Sequence, residues 1–199
     1  MKAQNLASTV FILLAASLLV MTTSGIAQNR QFATKGVTEI SGSVSYSNFT
    51  SVSNGETGDA ISIFTLAPQI GFFVTDGFEL GLSTGVSLVP GFSVLSQEDE
   101  ESTNILQFFF SPSYNIKTNT GNLYPFIEAQ LGYTSISSGD QTESGFSYGG
   151  RAGLKIVAVE HFLVNFSVQY LLITLNRSGE TERDGFNYLT VGVGIAGYF

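Results

Sequence analysis

Apolar and polar positions alternate along residues 62–88, on both sides of the short stretch Val74-Thr75-Asp76-Gly77. The apolar positions are Phe64, Leu66, Pro68, Ile70, Phe72, Phe78, Leu80, Leu82, Val86 and Leu88. A period of two predicts strand, turn and strand, because successive side chains of a strand point to opposite faces. The other face carries glycine, serine, threonine and isolated charges, which are too small and polar to form a hydrophobic core. We therefore expect the apolar face to point outward into lipid.

The same period recurs along the chain and predicts six further strands, at about 36–46, 104–116, 125–133, 147–156, 162–170 and 189–199. Long connections (47–59, 89–103, 135–144 and 176–185) alternate with short ones (74–77, 117–122 and 157–161), and both termini fall on the short side. This arrangement predicts an all-β fold, an eight-stranded antiparallel up-and-down transmembrane β-barrel over residues 36–199. Its long connections are expected outside the cell and its short turns in the periplasm.

Prolines and aromatic residues add detail to this strand pattern. Pro68, Pro112 and Pro125 fall inside strands, where a missing backbone donor predicts a bulge or a local bend. Aromatic residues collect near both strand ends and are expected to form girdles at the membrane interfaces. The proposed girdle members are Phe72, Phe78, Tyr114, Tyr124 and Phe162 on the turn side and Tyr46, Tyr133, Tyr148 and Tyr170 on the loop side.

The N-terminus is typical of a secreted precursor. Lys2 precedes the apolar run 10–21, and the small residues Gly25-Ile26-Ala27 follow it. The run is shorter than the roughly 20 residues that a spanning helix needs, so residues 1–27 are expected to be a cleaved signal peptide rather than a membrane anchor. Residues 28–35 are expected to be a short, flexible periplasmic lead-in.

Composition supports export and membrane insertion. Charged residues make up 12% of the chain and aromatic residues 13%, with 22 glycines. No later stretch could span a membrane as a helix, so a membrane protein with this sequence must close its backbone hydrogen bonds as a barrel. The chain has no cysteine, which excludes a disulfide scaffold or a thiolate metal site. Its net charge of −8 argues against nucleic acid as a partner.

Three segments resemble a known family, the small eight-stranded outer-membrane barrels of the OmpX and OmpA transmembrane type. Residues 68–81 look like that family's second hairpin, residues 125–133 look like its fifth strand, and the terminal Tyr198-Phe199 closes an alternating strand. A C-terminal aromatic such as Phe199 is similar to the family's assembly signal. The resemblance implies a monomer in the Gram-negative outer membrane, with lipid, lipopolysaccharide and the barrel-assembly machinery as partners. The family includes adhesins and stability factors, so the resemblance implies an architecture rather than a task.

Charges inside the strands all fall on the small-residue face, which predicts a lumenal ion network of Glu39, Glu79, Glu128, Arg151 and Lys155. Facing lipid, each would cost several kcal/mol. In a hairpin that sets Tyr133 opposite Phe146, Glu128 lies opposite Arg151 and Tyr124 opposite Lys155. We therefore predict an ion pair between Glu128 and Arg151. Phe109, Phe126 and Tyr188 also point inward, so an open pore is not expected in a barrel of eight strands.

No catalytic, cofactor or metal site is predicted. The glycines of 192–197 match a dinucleotide fingerprint, but that motif needs a following helix and the chain ends there. Residues 81–85 match a nucleophile elbow, but Ser83 lies in mid-strand and the single histidine, His161, lies in a predicted turn. The expected loops carry many acidic residues, without the ligand spacing of a calcium loop. We interpret these acidic residues as a solvated surface.

Three functional hypotheses remain. The first is a non-enzymatic surface protein whose acidic loops meet an extracellular partner, with a role in adhesion, defence or envelope stability. The second is a narrow or gated pore. The third is an exported, soluble barrel of the lipocalin type, which would need its apolar face turned inward. A membrane-embedded lipid hydrolase or acyltransferase using Ser83 is a further, weaker alternative.

Overall fold

The computed structural model describes residues 31–53, 56–88, 103–138, 141–175 and 184–199. It forms eight strands, which are β1 Thr38–Ser53, β2 Glu56–Thr75, β3 Phe78–Leu88, β4 Thr103–Asn115, β5 Leu123–Ser138, β6 Gln141–Val159, β7 Phe162–Leu175 and β8 Asp184–Tyr198. Each strand pairs antiparallel with its neighbours, and β8 pairs with β1 to close a barrel. The expected all-β, eight-stranded up-and-down architecture is confirmed. No helix in the described part of the chain is long and apolar enough to cross a membrane.

Side chains alternate between the lumen and the outside, as the period of two requires. The outward positions are apolar and exposed: Leu82 is 63% exposed, Ile127 61% and Val191 62%. Inward neighbours such as Glu79 and Gln130 are buried. The predicted change of parity in β5, which puts Ile127 outside and Glu128 inside, is confirmed. The hydrophobic pattern is thus inverted relative to that of a water-soluble barrel.

We call the end that carries the connections 76–77, 116–122 and 160–161 the turn end, and the opposite end the loop end. The turn-end connections are short, as predicted. Two of the expected long loops are wrong, because β1 and β2 pair as far as Ser53 and Glu56, and β5 and β6 as far as Ser138 and Gln141. Only residues 54–55 and 139–140 lie between these strands. Asn54-Gly55 is the dipeptide that favours a two-residue hairpin, so this signal was available in the sequence.

The extended hairpins make strands of 16 to 20 residues, whereas about 9–11 are enough to cross a bilayer. On β2, the described apolar stripe from Phe64 to Phe72 has a length that suits such a crossing. The connections 89–102 and 176–183 lie outside the described residues.

The bulges expected at the three prolines are not found, whereas a local bend at these positions stays a prediction. Register shifts occur between Thr50 and Val52, at Phe73/Thr75 and at Val157/Val159, but not at Pro68, Pro112 or Pro125. Pro68 pairs with Gly42 on one side, and Pro112 pairs with Leu80. The ladders on their other sides skip these positions without changing register. A missing donor therefore interrupts one ladder locally and leaves the strand in register.

The larger of two buried apolar clusters in the described residues lies at the turn end, around the segment before β1. It consists of Phe32, Ala33, Val37, Phe73, Tyr124, Leu163, Ala196 and Tyr198. The expected flexible lead-in is thus wrong for the described residues 31–35, because Phe32 is 1% exposed and packs inside the barrel mouth. Tyr124 is wrongly placed in the girdle, since it points inward and its ring lies 4.9 Å from that of Phe32. Residues 1–30, with the predicted signal peptide, lie outside the described residues.

Candidate functional site

The lumen contains two clusters of charged side chains. The cluster nearer the turn end is centred on Lys155 of β6, which is buried. Its Nζ lies 2.6 Å from Glu39 Oε2 on β1 and 3.3 Å from Glu79 Oε2 on β3. Ser113 Oγ donates to Glu79 Oε2 at 2.9 Å, and Asn115 Nδ2 donates to the same oxygen at 3.4 Å. These bonds connect four strands across the lumen.

The second cluster is centred on Glu128 of β5. Arg151 Nη2 lies 2.7 Å from Glu128 Oε2, and the two residues are opposite each other in the register. The ion pair expected from the sequence is therefore present. Gln69 of β2 accepts from Arg151 Nη2 at 2.5 Å and donates to Glu128 Oε2 at 3.2 Å, while Gln130 donates to Glu128 Oε1 at 3.0 Å. This cluster also crosses the barrel, from β2 to β5 and β6.

Phe126 separates the two clusters. Its ring centroid lies 5.7 Å from Arg151 Cζ and 5.3 Å from Lys155 Nζ, so each cation contacts the same aromatic ring. Cations are attracted to the negative face of an aromatic ring, most strongly where water is excluded. Phe126 thus fills the lumen and favours both cations in their buried positions.

Towards the loop end the lumen is lined by small polar residues. Ser47 and Thr190 bond at 2.6 Å, Thr65 and Ser87 at 2.7 Å, and Ser147 donates to Thr134 at 2.7 Å. A cavity of about 30 Å³ remains among them, with Arg151 and Gln130 in its wall, and it is large enough for about two water molecules. Arg151 Nε, a donor, and Gln130 Oε1, an acceptor, are buried without a protein partner.

Glycine makes room for the buried carboxylate of Glu79. A Cβ added to Gly71 would lie 1.7 Å from Glu79 Oε1, which is closer than any real contact. The two residues are diagonal neighbours on the inward face of β2 and β3, because Gly71 pairs with Gly81 and Glu79 pairs with Phe73. The small residues on the inward face are therefore required by the bulk and charge of their neighbours.

The structure gives no catalytic arrangement to the two motifs considered from the sequence. Ser83 lies within β3 and bonds to Ser111 Oγ at 3.1 Å, whereas His161 lies at the turn end and bonds to the Tyr198 carbonyl through Nδ1 at 3.0 Å. The glycines of 192–197 lie within β8. In the described part of the chain, no group of three or more histidine, aspartate or glutamate side chains could hold a metal ion.

Several expectations fall on residues whose side chains or backbone are not described. The inward position of Tyr188 is one, because only its backbone is described. The acidic loop residues Glu98, Asp99, Glu100, Glu101, Asp140, Glu180 and Glu182 also lie outside the described residues.

Sequence reasoning missed some members of the site. Gln69, Ser113 and Asn115 occupy inward positions of their strands, so the same parity that selected the charged residues could have selected these three. Phe32 gave no such signal, because it lies before the first alternating segment.

A closed eight-stranded barrel with an apolar exterior and a polar, ion-paired lumen is the architecture of the small transmembrane β-barrels. Solved structures with this architecture match the chain. Neisserial surface protein A matches with a TM-score of 0.63 at 13% identity, over 83% of this chain and 100% of that one. OprG from Pseudomonas aeruginosa gives 0.55 at 14% identity, over 85% and 98%. Outer membrane protein W of E. coli gives 0.50 at 12%, over 84% and 100%.

At these identities the likeness shows a common fold, that of the small eight-stranded outer-membrane barrels, as the sequence resemblance implied. Compared by sequence, the chain matches no family model and no curated protein.

Proposed function

We propose that the protein is an integral outer-membrane β-barrel that acts without catalysis, as a rigid scaffold presenting its loop end to the outside of the cell. The observation that carries the proposal is the inverted pattern of the barrel, with exposed leucine, isoleucine and phenylalanine outside and paired charges inside. An apolar belt of this kind around a water-soluble monomer would far exceed the few hundred Å² of contiguous apolar surface that such proteins tolerate. In lipid, the same belt is the stable arrangement.

The lumen supports a scaffold rather than a transport role. Bonds from Lys155 to Glu39 and Glu79, and from Arg151 to Gln69 and Glu128, cross it at two levels. Phe126 fills the space between them. A solute would have to break these bonds to pass, and a barrel of eight strands is wide enough only for its own side chains. The filled lumen therefore argues against the narrow or gated pore. The outward direction of the apolar face argues against a soluble lipocalin-like barrel.

The loop end supports a role in contact with an external partner. The hairpins β1–β2 and β5–β6 continue past the length that a bilayer requires. The connections at this end carry seven of the chain's 16 acidic residues. An acidic, projecting surface of this kind suits adhesion, defence or stabilisation of the envelope through a basic or cation-bridged partner.

Fractionation of cells that express the protein tests the membrane assignment. We expect the mature chain in the outer-membrane fraction, extracted only by detergent, with a gel mobility that changes on heating because the closed barrel resists unfolding in detergent. Recovery as a monomer in the aqueous periplasmic fraction would contradict the proposal. Planar-bilayer recordings test the scaffold role, for which we expect no stable single-channel conductance.

A further inference from the structure

The segment before β1 lies in the mouth of the barrel at the turn end and closes it. Phe32 contacts three rings of the barrel wall, with centroid separations of 5.3 Å to Phe73, 4.9 Å to Tyr124 and 5.2 Å to Tyr198. On its lumenal side the Phe32 ring lies 5.3 Å from Lys155 Nζ. Phe32 therefore lies between the buried ion cluster and the turn end, at the centre of the apolar cluster described above.

Several bonds fix this segment to the turns around the mouth. Gly36 N–H donates to the Phe73 carbonyl at 2.8 Å, and Gly77 N–H donates to the Ala33 carbonyl at 2.9 Å. Lys35 N–H donates to Asp76 Oδ1 at 2.8 Å. The segment is thus bound to β2 and to the β2–β3 turn by both main-chain and side-chain bonds.

The backbone conformation of Ala33 indicates that the surrounding structure holds this segment in place. Its φ of 60° lies in the left-handed region, which non-glycine residues seldom adopt. Such a conformation persists only where the surrounding structure imposes it. Lys117, in the β4–β5 connection, adds a bond from Nζ to Gln31 Oε1 at 2.6 Å, so the start of the segment is also held across the mouth.

We propose that residues 31–37 form a plug that seals the turn end of the lumen, and that Phe32 is the residue that excludes water and small ions from the Lys155 cluster. The cluster behind the plug holds two carboxylates for one ammonium group, and solvent reaching it would hydrate these charges and weaken their bonds. The plug goes beyond the scaffold role proposed above, because a barrel could be inserted and folded with this mouth open.

Cysteine labelling tests the seal, since the chain has no cysteine of its own. Ser113→Cys places a thiol next to Glu79, at a position 2% exposed and behind the plug. Asn119→Cys, in the exposed 116–122 connection, reports full access. The probe is a charged, membrane-impermeant methanethiosulfonate, applied to purified full-length protein in detergent micelles, where both ends of the barrel are accessible.

With Phe32 intact, we expect Ser113→Cys to react about a hundredfold more slowly than Asn119→Cys. Phe32→Ala should raise its rate at least about tenfold, because the gap left by the ring opens onto the ammonium group of Lys155, which can bind the entering water. The matched control is Phe72→Ala. It removes an outward ring, 48% exposed, from β2 at the same end of the barrel, and it should leave the labelling rate of Ser113→Cys unchanged. Phe32→Leu, which keeps most of the volume, should restore slow labelling.

Two results would overturn the plug. One is a Ser113→Cys thiol that already reacts as fast as Asn119→Cys with Phe32 present. The other is an unchanged rate in a folded Phe32→Ala variant. If Phe32→Ala loses its heat-modifiable band, Phe32→Val takes its place in the same comparison. Failure of the membrane proposal would be seen separately, because the protein would then stay soluble as a monomer without detergent.

Discussion

Replacing Arg151 by methionine should destabilise the barrel strongly, because it leaves the buried carboxyl group of Glu128 without its paired cation. The Glu128 side chain is 2% exposed, and Arg151 is the one cation within salt-bridge distance of it among the described residues. Gln69 and Gln130 would still donate to the carboxylate, at 3.2 and 3.0 Å. Two neutral amides cannot compensate a full charge, so we expect a loss of about 3–5 kcal/mol in the free energy of unfolding.

The double variant Arg151→Met with Glu128→Gln separates the cost of an unpaired charge from the value of the pair. It removes both charges and leaves an amide that Gln69 and Gln130 can still bond. Buried ion pairs exchanged for neutral groups of similar size are often neutral in stability, so we expect the double variant within about 1 kcal/mol of the wild type. The resulting coupling energy should be at least about 2 kcal/mol.

The assay is equilibrium unfolding in urea of protein inserted in lipid vesicles, followed by loss of the folded, heat-modifiable band. Lys35→Met serves as the control, because it removes an exposed cation at the turn end and should change stability by less than about 0.5 kcal/mol. A loss below about 1 kcal/mol for Arg151→Met would refute the reasoning. A double variant as unstable as Arg151→Met alone would show that lost packing, not charge, is the cause.

Three further predictions test other parts of the structure. Gly71→Ala should cost about 1–3 kcal/mol, since its Cβ would displace Glu79, whereas Gly42→Ala, with nothing within 4 Å of its Cβ, should cost nothing measurable in the same unfolding assay. Leu82→Arg should cost about 2–4 kcal/mol, because this outward side chain lies in the apolar belt; a cost below about 0.5 kcal/mol would place Leu82 in water. Phe199→Ala should lower the yield of assembled protein in cells while leaving the stability of refolded protein nearly unchanged; equal yields would remove Phe199 as an assembly signal.

The strand pattern could be predicted because lipid outside and charge inside impose opposite demands on alternate residues. A charged side chain in a strand could be paired only on the inward face. The alternation of inward and outward positions was therefore enough to place five residues in the lumen, namely Glu39, Glu79, Glu128, Arg151 and Lys155. The opposition of Glu128 and Arg151 followed from one assumed register of a hairpin. Which carboxylate binds Lys155 could not be predicted, because those bonds cross the lumen between strands that are not neighbours.

The errors have a common physical origin. Strand ends were placed where the apolar alternation stops, but strand pairing depends on backbone bonds and continues past the lipid, as in β1–β2 up to Ser53 and Glu56. Phe32 was missed for a related reason. Its burial depends on the space that the inward residues Phe73, Tyr124 and Tyr198 leave at the mouth, and that space exists only once the barrel has closed.

The plug and the ion cluster depend on each other. Lys155 shares its charge between Glu39 and Glu79, so the cluster has one carboxylate more than its cation can neutralise. Ser113 and Asn115 donate to Glu79, and the missing Cβ of Gly71 gives its carboxylate room. Those bonds are strong only while water is absent, because both charge pairing and hydrogen bonding weaken in a high dielectric. Phe32 keeps that end of the lumen dry, and Lys155 in turn binds the face of its ring, so loss of either residue should loosen the other.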